Sequence, residues 1–313
     1  MSMPKSSAGR AGESAAAIWS VLRPFIAGER ALGARMAQNA RTSALYEFVR
    51  FGMKQAWACL FGGAVVFLLI ATYLVYPEDA ALSRYDFLFL SMVALQAFLL
   101  ATKLETLDEA KVILIYHVVG TIMEIFKTSV GSWIYPEPSI FRIGGVPLFT
   151  GFMYACIGSY LCRAWRLFDL RFTHHPPVWA LVVLSLAIYV NFFAHHYVVD
   201  LRLVLFATAA ILFGRTTVYF KVWRVDRSMP LLLGLVLVAL FIWFTENIGT
   251  FTRTWIYPSQ LHGWSMVSFA KLGSWFLLLI ISYTLVTLIN RPQPFTAQTK
   301  AAPRVLRDVP EQV

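Results

Sequence analysis

This sequence predicts an all-α polytopic membrane bundle of eight transmembrane helices, built as two parallel four-helix repeats. Three observations lead there. First, the 313 residues are 58% hydrophobic and only 14% charged, with mean hydropathy +0.63. An ordinary soluble domain is roughly 45–50% apolar and about 25% charged. So apolar a chain cannot hide its side chains in one water-soluble core, and much of its surface must face lipid. Second, the apolar residues gather in eight runs, each long enough for the ~20 helical residues that a hydrocarbon layer requires. Third, one polar and aromatic pattern recurs at a constant offset of 122 residues.

In chain order, residues 1–12 are polar and are expected to form a disordered cytoplasmic tail. Residues 13–53 carry Ile18, Leu22, Phe25, Ile26, Leu32, Met36, Leu45 and Phe48 among arginines. That composition fits a basic amphipathic juxtamembrane helix, broken near Pro24, on the cytoplasmic leaflet. The first repeat, 54–164, holds runs at 55–76, 85–102, 110–131 and 145–163. The second, 177–290, holds runs at 178–196, 200–220, 229–252 and 265–289. Each run is continuous rather than alternating, and an open chain in lipid must satisfy its own backbone hydrogen bonds, so helices are expected. Residues 291–313 are polar and read as a second disordered cytoplasmic tail. No cleavable leader is expected, because the first long apolar run starts only near residue 55.

The basic residues orient the bundle. Residues 1–54, 103–111, 163–171, 215–227 and the C-terminal tail together carry 21 Lys and Arg on one side. The other side receives 4, namely Arg84, Arg142, Arg202 and Arg253, while Lys127 and Lys271 fall within runs. A split of this kind predicts that both termini are cytoplasmic. It also accounts for the net charge of +10 without a nucleic-acid partner. Cys59, Cys156 and Cys162 show no CxxC spacing and read as buried small apolar residues.

The repeat carries the most information. Glu124-Ile-Phe-Lys-Thr128-Ser-Val-Gly-Ser132-Trp133-Ile134-Tyr135-Pro136 matches Glu246-Asn-Ile-Gly-Thr250-Phe-Thr-Arg-Thr254-Trp255-Ile256-Tyr257-Pro258. The offset covers four runs, an even number, so the halves are expected to be parallel, related by an axis along the membrane normal. Glu, Thr and Ser/Thr at i, i+4 and i+8 would share one helix face, with the helix stopping at Trp-Ile-Tyr-Pro. His117, seven residues before Glu124, joins that stripe.

A carboxylate in a membrane helix costs ~2.5–3.5 kcal/mol and needs partners. Glu124, Glu246 and His117 are the expected acid/base residues. Thr128, Thr250, Trp133, Tyr135, Trp255, Tyr257, Asn191, His195 and Lys271 are the expected ligand-binding residues at the same depth. A plainer reading stands beside this one: the glutamates are structural hydrogen-bond anchors capped by Tyr, Lys or Arg, with Lys127 and Lys271 as candidates. No metal site and no cofactor are expected, since the adjacent side chains of His195 and His196 point ~100° apart. The chain lacks a GxxxxGK[ST] phosphate cradle, a GxSxG elbow and an Asp-rich diphosphate motif. ATP-driven transport, serine hydrolysis and standard prenyl transfer are therefore not expected.

The run from His117 to Lys127, then Gly131-Ser-Trp-Ile-Tyr-Pro136-Glu137, then Gly144 to Tyr154, resembles the YoaT-like bacterial integral membrane proteins, domain of unknown function 817. Asn191-Phe-Phe-Ala-His-His196 and Phe244-Thr-Glu246-Asn247-Ile carry the same resemblance, which covers about residues 50–290. It implies a multi-span inner-membrane protein and no established activity. A fainter similarity in style links the membrane glutamates and terminal aromatics to membrane carotenoid hydratases and small lycopene cyclases, which protonate long polyenes. The expected function is to bind or modify an isoprenoid-like or other amphipathic lipid in an outer-leaflet cavity lined by both glutamates. A proton-coupled secondary transporter and a structural or assembly protein are the alternatives. The expected partners are the bilayer and that small molecule.

Overall fold

The computed structural model describes residues 23–36, 39–102 and 104–296. The expected tail 1–12, the start of segment 13–53 and residues 297–313 of the other tail lie outside the described residues. The chain is mostly helical. Its helices are α1 (Arg23–Met36), α2 (Ala40–Ala58), α3 (Leu60–Val75), α4 (Arg84–Ala101), α5 (Leu107–Ser129), α6 (Phe149–Phe168), α7 (Val178–Ala194), α8 (Arg202–Phe213), α9 (Leu231–Phe251) and α10 (Ala270–Ile289). Among the described residues six short strands join them: β1 (Arg142–Ile143), β2 (Val146–Pro147), β3 (Arg171–Thr173), β4 (Thr217–Lys221), β5 (Asp226–Pro230) and β6 (Gln293–Pro294).

The chain divides into two units, one ending at Met53 and the other starting at Lys54. In the first, Pro24 lies in the first described turn of α1, so the expected break near it falls at the edge of the described residues. Glu29 accepts hydrogen bonds from the Tyr46 hydroxyl and, at 2.6 Å, from Arg50, and this ties α1 to α2.

Among the described residues of the second unit, four helices are long and apolar enough to cross a membrane: α4, the Glu109–Ser129 part of α5, α9 and α10. The bent pair α2–α3 makes a fifth if it counts as one pass. The remaining three runs behave otherwise. Helix α7 has 17 residues and α8 only 12. Helix α6 continues past the expected end at 163 and takes in Arg163 and Arg166. It can do so because both are paired: Arg163 with Glu105 at 3.1 Å, both side chains fully buried, and Arg166 with Glu109 at 3.3 Å. The run at 200–220 ends as a helix at Phe213. Its Thr217-Val-Tyr-Phe-Lys tail, rich in β-branched and aromatic residues, becomes a strand. That strand builds the sheet β5-β4-β3-β6, antiparallel except for β3–β6. Residues 215–227, read from the sequence only for their basic side chains, are thus largely a hairpin.

Helix α6 is the central element and packs against α3, α4, α5 and α10. Its approach to α5 depends on three glycines. A Cβ on Gly151 would lie 2.4 Å from His117 Nδ1, one on Gly158 2.9 Å from the Tyr116 ring, and one on Gly120 2.7 Å from the Tyr154 ring. One apolar core surrounds Phe61, Tyr85, Leu88 and Phe149, and a second surrounds Leu181, Phe213, Leu279 and Ile280.

Gly151→Leu should lower the thermal midpoint in detergent, at a cost of about 1–3 kcal/mol for overpacking. Gly63→Leu, where nothing lies within 4 Å of the added carbon, should leave it unchanged. Arg163→Met should cost about 3–5 kcal/mol by stranding Glu105, and adding Glu105→Leu should restore most of the loss. A double variant less stable than the single one would contradict this account.

Candidate functional site

The site is built where α5 and α9 end. Helix α5 starts with a capping box: Thr106 accepts the Glu109 N–H at 3.2 Å, and the Glu109 carboxylate accepts the Thr106 N–H at 2.8 Å. It stops at Ser129, before the Trp-Ile-Tyr-Pro segment, and α9 stops at Phe251. Both endings use the same turn. Gly131 and Arg253, related by the 122-residue offset, adopt φ of +72° and +53°. Val130 N–H bonds Phe126 and Ser132 N–H bonds Lys127; at the equivalent places Thr252 bonds Ile248 and Thr254 bonds Gly249. The left-handed residue satisfies the last helical carbonyls and reverses the chain. The expected i, i+4, i+8 stripe is therefore corrected: Glu124 and Thr128 lie in the helix, and Ser132 lies beyond it.

After the turn each segment is extended, so residues two apart point the same way. Trp133 Nε1 and the Tyr135 hydroxyl both donate to Glu124 Oε2, at 2.7 and 2.5 Å. From α6, Tyr154 donates to Oε1 at 2.8 Å. In the second stretch, Tyr257 and Trp275, the latter on α10, donate to the two oxygens of Glu246. Trp255 goes elsewhere and covers Gly249, where an added Cβ would fall 2.0 Å from its ring. Lys127 stands in the place of Gly249 in the first stretch. Burial, followed by the neighbouring carboxylate, raises the Tyr135 and Tyr257 phenols well above their usual range, which keeps them as donors.

The two extended segments pair with each other. Ile134 and Ile256 exchange both backbone hydrogen bonds at 3.0 Å. Across that pair, the Trp133 and Tyr257 rings meet edge to face at 5.9 Å, and the Tyr154 and Trp275 rings lie 6.2 Å apart. The donors of one glutamate thus touch the donors of the other at two places. Lys271 Nζ sits over the rings of Tyr257 (4.3 Å) and Trp133 (5.2 Å). Glu124 and Glu246 are 3% and 4% exposed, so this is a closed polar centre inside aromatic walls.

The other expected residues lie around it. The His117 ring meets the Phe152 ring at a tilt, centroids 4.6 Å apart, and its buried Nδ1 has no partner among the described residues. The Thr128 hydroxyl is likewise buried without a partner there, whereas Thr250 accepts from Trp264 at 3.1 Å. Asn191 donates to Asp200 at 3.1 Å and accepts the Leu201 N–H at 2.9 Å, which closes the α7–α8 turn. His195 bonds the Asn191 carbonyl at 2.9 Å. Neither Lys127 nor Lys271 caps a glutamate. Lys127 donates to His196 Nε2 at 2.8 Å and lies 4.2 Å from the Phe192 ring. An ammonium can only donate, so the His196 ring accepts that proton through Nε2. Sequence reasoning missed Tyr154, Trp275 and the Lys127–His196 contact. The 122-residue frame pairs Tyr154 with Phe276, one place from Trp275, so the offset carried no signal for either donor. Among the described residues, no group of three His, Cys, Asp or Glu side chains converges on one point.

Fold and site together define a mostly helical membrane protein with a closed acidic centre at its helix ends. The chain belongs to the family described as Protein of unknown function (DUF817), whose model matches residues 47–283. It is 42% identical over 248 residues to the Uncharacterized protein YoaT of Bacillus subtilis (strain 168), a match covering 79% of this chain and 93% of that protein. No solved structure matches.

Tyr135→Phe, which leaves Glu124 with two donors, should destabilise the protein by about 1–3 kcal/mol. Trp255→Phe, which removes no donor from Glu246, should cost clearly less in the same thermal unfolding series. Equal losses would count against the donor assignment.

Proposed function

We propose that this protein is an inner-membrane lipid-binding protein with eight passes and cytoplasmic termini, built as parallel halves at 54–164 and 177–290. Its ligand is an isoprenoid-like or other amphipathic molecule, and Glu246 is the group that exchanges a proton with it. The matched turns at Gly131 and Arg253 and the mutual pairing of Ile134 with Ile256 support the two-half reading. In that reading the sixth pass is the short α8 together with the chain that continues into β4.

One observation carries the lipid assignment. An apolar groove of about 320 Å³ lies among α8, α9 and α10, lined by Phe206, Ala239, Phe269, Leu272, Gly273 and Phe276. Helix α10 is also the helix that sends Trp275 to Glu246 and Lys271 over Trp133 and Tyr257. A chain in the groove would run alongside the helix that reaches the acid centre. Glu246 has two side-chain donors, one of them from the groove helix, and Glu124 has three. Glu246 is therefore the reacting group in this proposal, and Glu124 the anchor.

Lipid extracted from the purified protein should fall about tenfold in Ala239→Trp, which fills the groove, and stay unchanged in Glu246→Gln. The cell's extractable lipid and pigment profile should change in Glu246→Gln as it does on deletion. If deletion alters that profile while Glu246→Gln leaves it as in wild type, the proton-exchange role is lost. Solute uptake into proteoliposomes that a protonophore abolishes, with no lipid retained, would replace this reading by a transporter.

A further inference from the structure

The two donors on Glu246 differ in kind, and the difference decides which oxygen of that carboxyl can hold a proton. Trp275 donates to Oε2 and the Tyr257 hydroxyl to Oε1. Among the described residues, neither oxygen has a second hydrogen-bond partner. An indole N–H can donate but not accept, whereas a phenol does both. A proton on Oε2 would face an N–H, and its O–H would be buried without an acceptor, which is costly. A proton on Oε1 meets a hydroxyl that need only turn to receive it. Glu124 has no such division. Tyr135 sits beside Trp133 on Oε2 and Tyr154 on Oε1, so a phenol serves both oxygens.

Tyr257 is held so that its hydroxyl hydrogen is the part left to move. Its N–H donates to Gln260 Oε1 at 3.2 Å, and its carbonyl accepts the Gln260 N–H at 2.8 Å. Gln260 is itself buried, and its Nε2 donates to the Ser265 carbonyl at 2.6 Å. The Tyr257 ring has Lys271 Nζ over its face and the Trp133 ring against it. In the first stretch the place of Gln260 is taken by Pro138, which offers neither an N–H nor a side-chain amide, so Tyr135 has no equivalent clamp.

We propose that Glu246 carries its exchangeable proton on Oε1, where the Tyr257 hydroxyl relays it, while Trp275 keeps Oε2 as the carbonyl oxygen. This rests on the proton-exchange reading above and adds a second reacting residue to it. In one exchange the Oε1–H bond breaks and its electron pair stays on the carboxylate. The Tyr257 oxygen gains that proton and gives up its own to the proton-accepting ligand, so Tyr257 ends unchanged and one proton has moved. Trp275 and Gln260 are positioning residues: one fixes the carboxyl, the other the phenol.

Infrared spectra of the full-length protein in detergent, recorded as the pH is lowered, identify the Glu246 carboxyl C=O band as the one missing in Glu246→Gln. A carbonyl that loses a hydrogen-bond donor absorbs at higher frequency, so Trp275→Phe should raise that band and leave its exchange rate in D2O as in wild type. Tyr257→Phe should move the band clearly less and slow its exchange about tenfold or more. If Tyr257→Phe shifts the band and Trp275→Phe does not, the proton lies on Oε2, and this assignment is overturned while proton exchange at Glu246 stands. An unslowed exchange in Tyr257→Phe removes the relay in the same way. Should Tyr257→Phe not fold, an unmoved band in Trp275→Phe still overturns the assignment and a raised one supports it. If no band is lost in Glu246→Gln, Glu246 takes up no proton, and the inference falls together with the reading beneath it.

Discussion

A carboxylate placed at the end of a membrane helix has to be given hydrogen-bond donors by the chain itself, and much of this architecture follows from that requirement. Water is scarce at that depth, and a charged donor would bring its own desolvation cost. Tryptophan and tyrosine avoid it, since each carries a single N–H or O–H on an apolar body. To bring them back onto Glu124, α5 must end early, turn through a left-handed residue and continue extended. The turn at Gly131, the alternation of Trp133 and Tyr135, and the choice of aromatics are three consequences of one need.

The same pattern serves the second stretch with a different result. Gly249 leaves room for the Trp255 ring against α9, that indole does not reach Glu246, and Trp275 on α10 donates instead. Lys127, at the place of Gly249, goes to His196 and the Phe192 ring, while Trp133 turns to the carboxylate. One substitution position therefore separates a centre held by its own segment and α6 from one held partly by α10. The latter helix also borders the apolar groove.

How much of this could be read beforehand depended on the kind of interaction. Most of the apolar runs marked helix positions, because lipid exposure acts on many side chains at once. Helix ends were harder. The residue before Pro136 is indeed non-helical, but hydrogen bonding at Gly131 stops α5 earlier than any proline effect would. Arg163 and Arg166 marked a loop by their charge and turned out helical, since their partners Glu105 and Glu109 come from a distant segment that composition cannot pair with them. Strand β4 was hidden in an apolar run because Val218, Tyr219 and Phe220 suit either lipid or a sheet. Glu124, Glu246 and their trailing aromatics were legible as a group. Tyr154 and Trp275 were not, because they depend on how helices face one another.

The backbone exchange between Ile134 and Ile256 has a bearing on origins. Each isoleucine meets the residue that occupies its own position in the other stretch, and self-contact of that kind is the mark of an isologous interface with twofold symmetry. A chain of half this length carrying one such segment would present the same edge to a second copy of itself. Fusing two copies would preserve the junction and leave each side free to change alone.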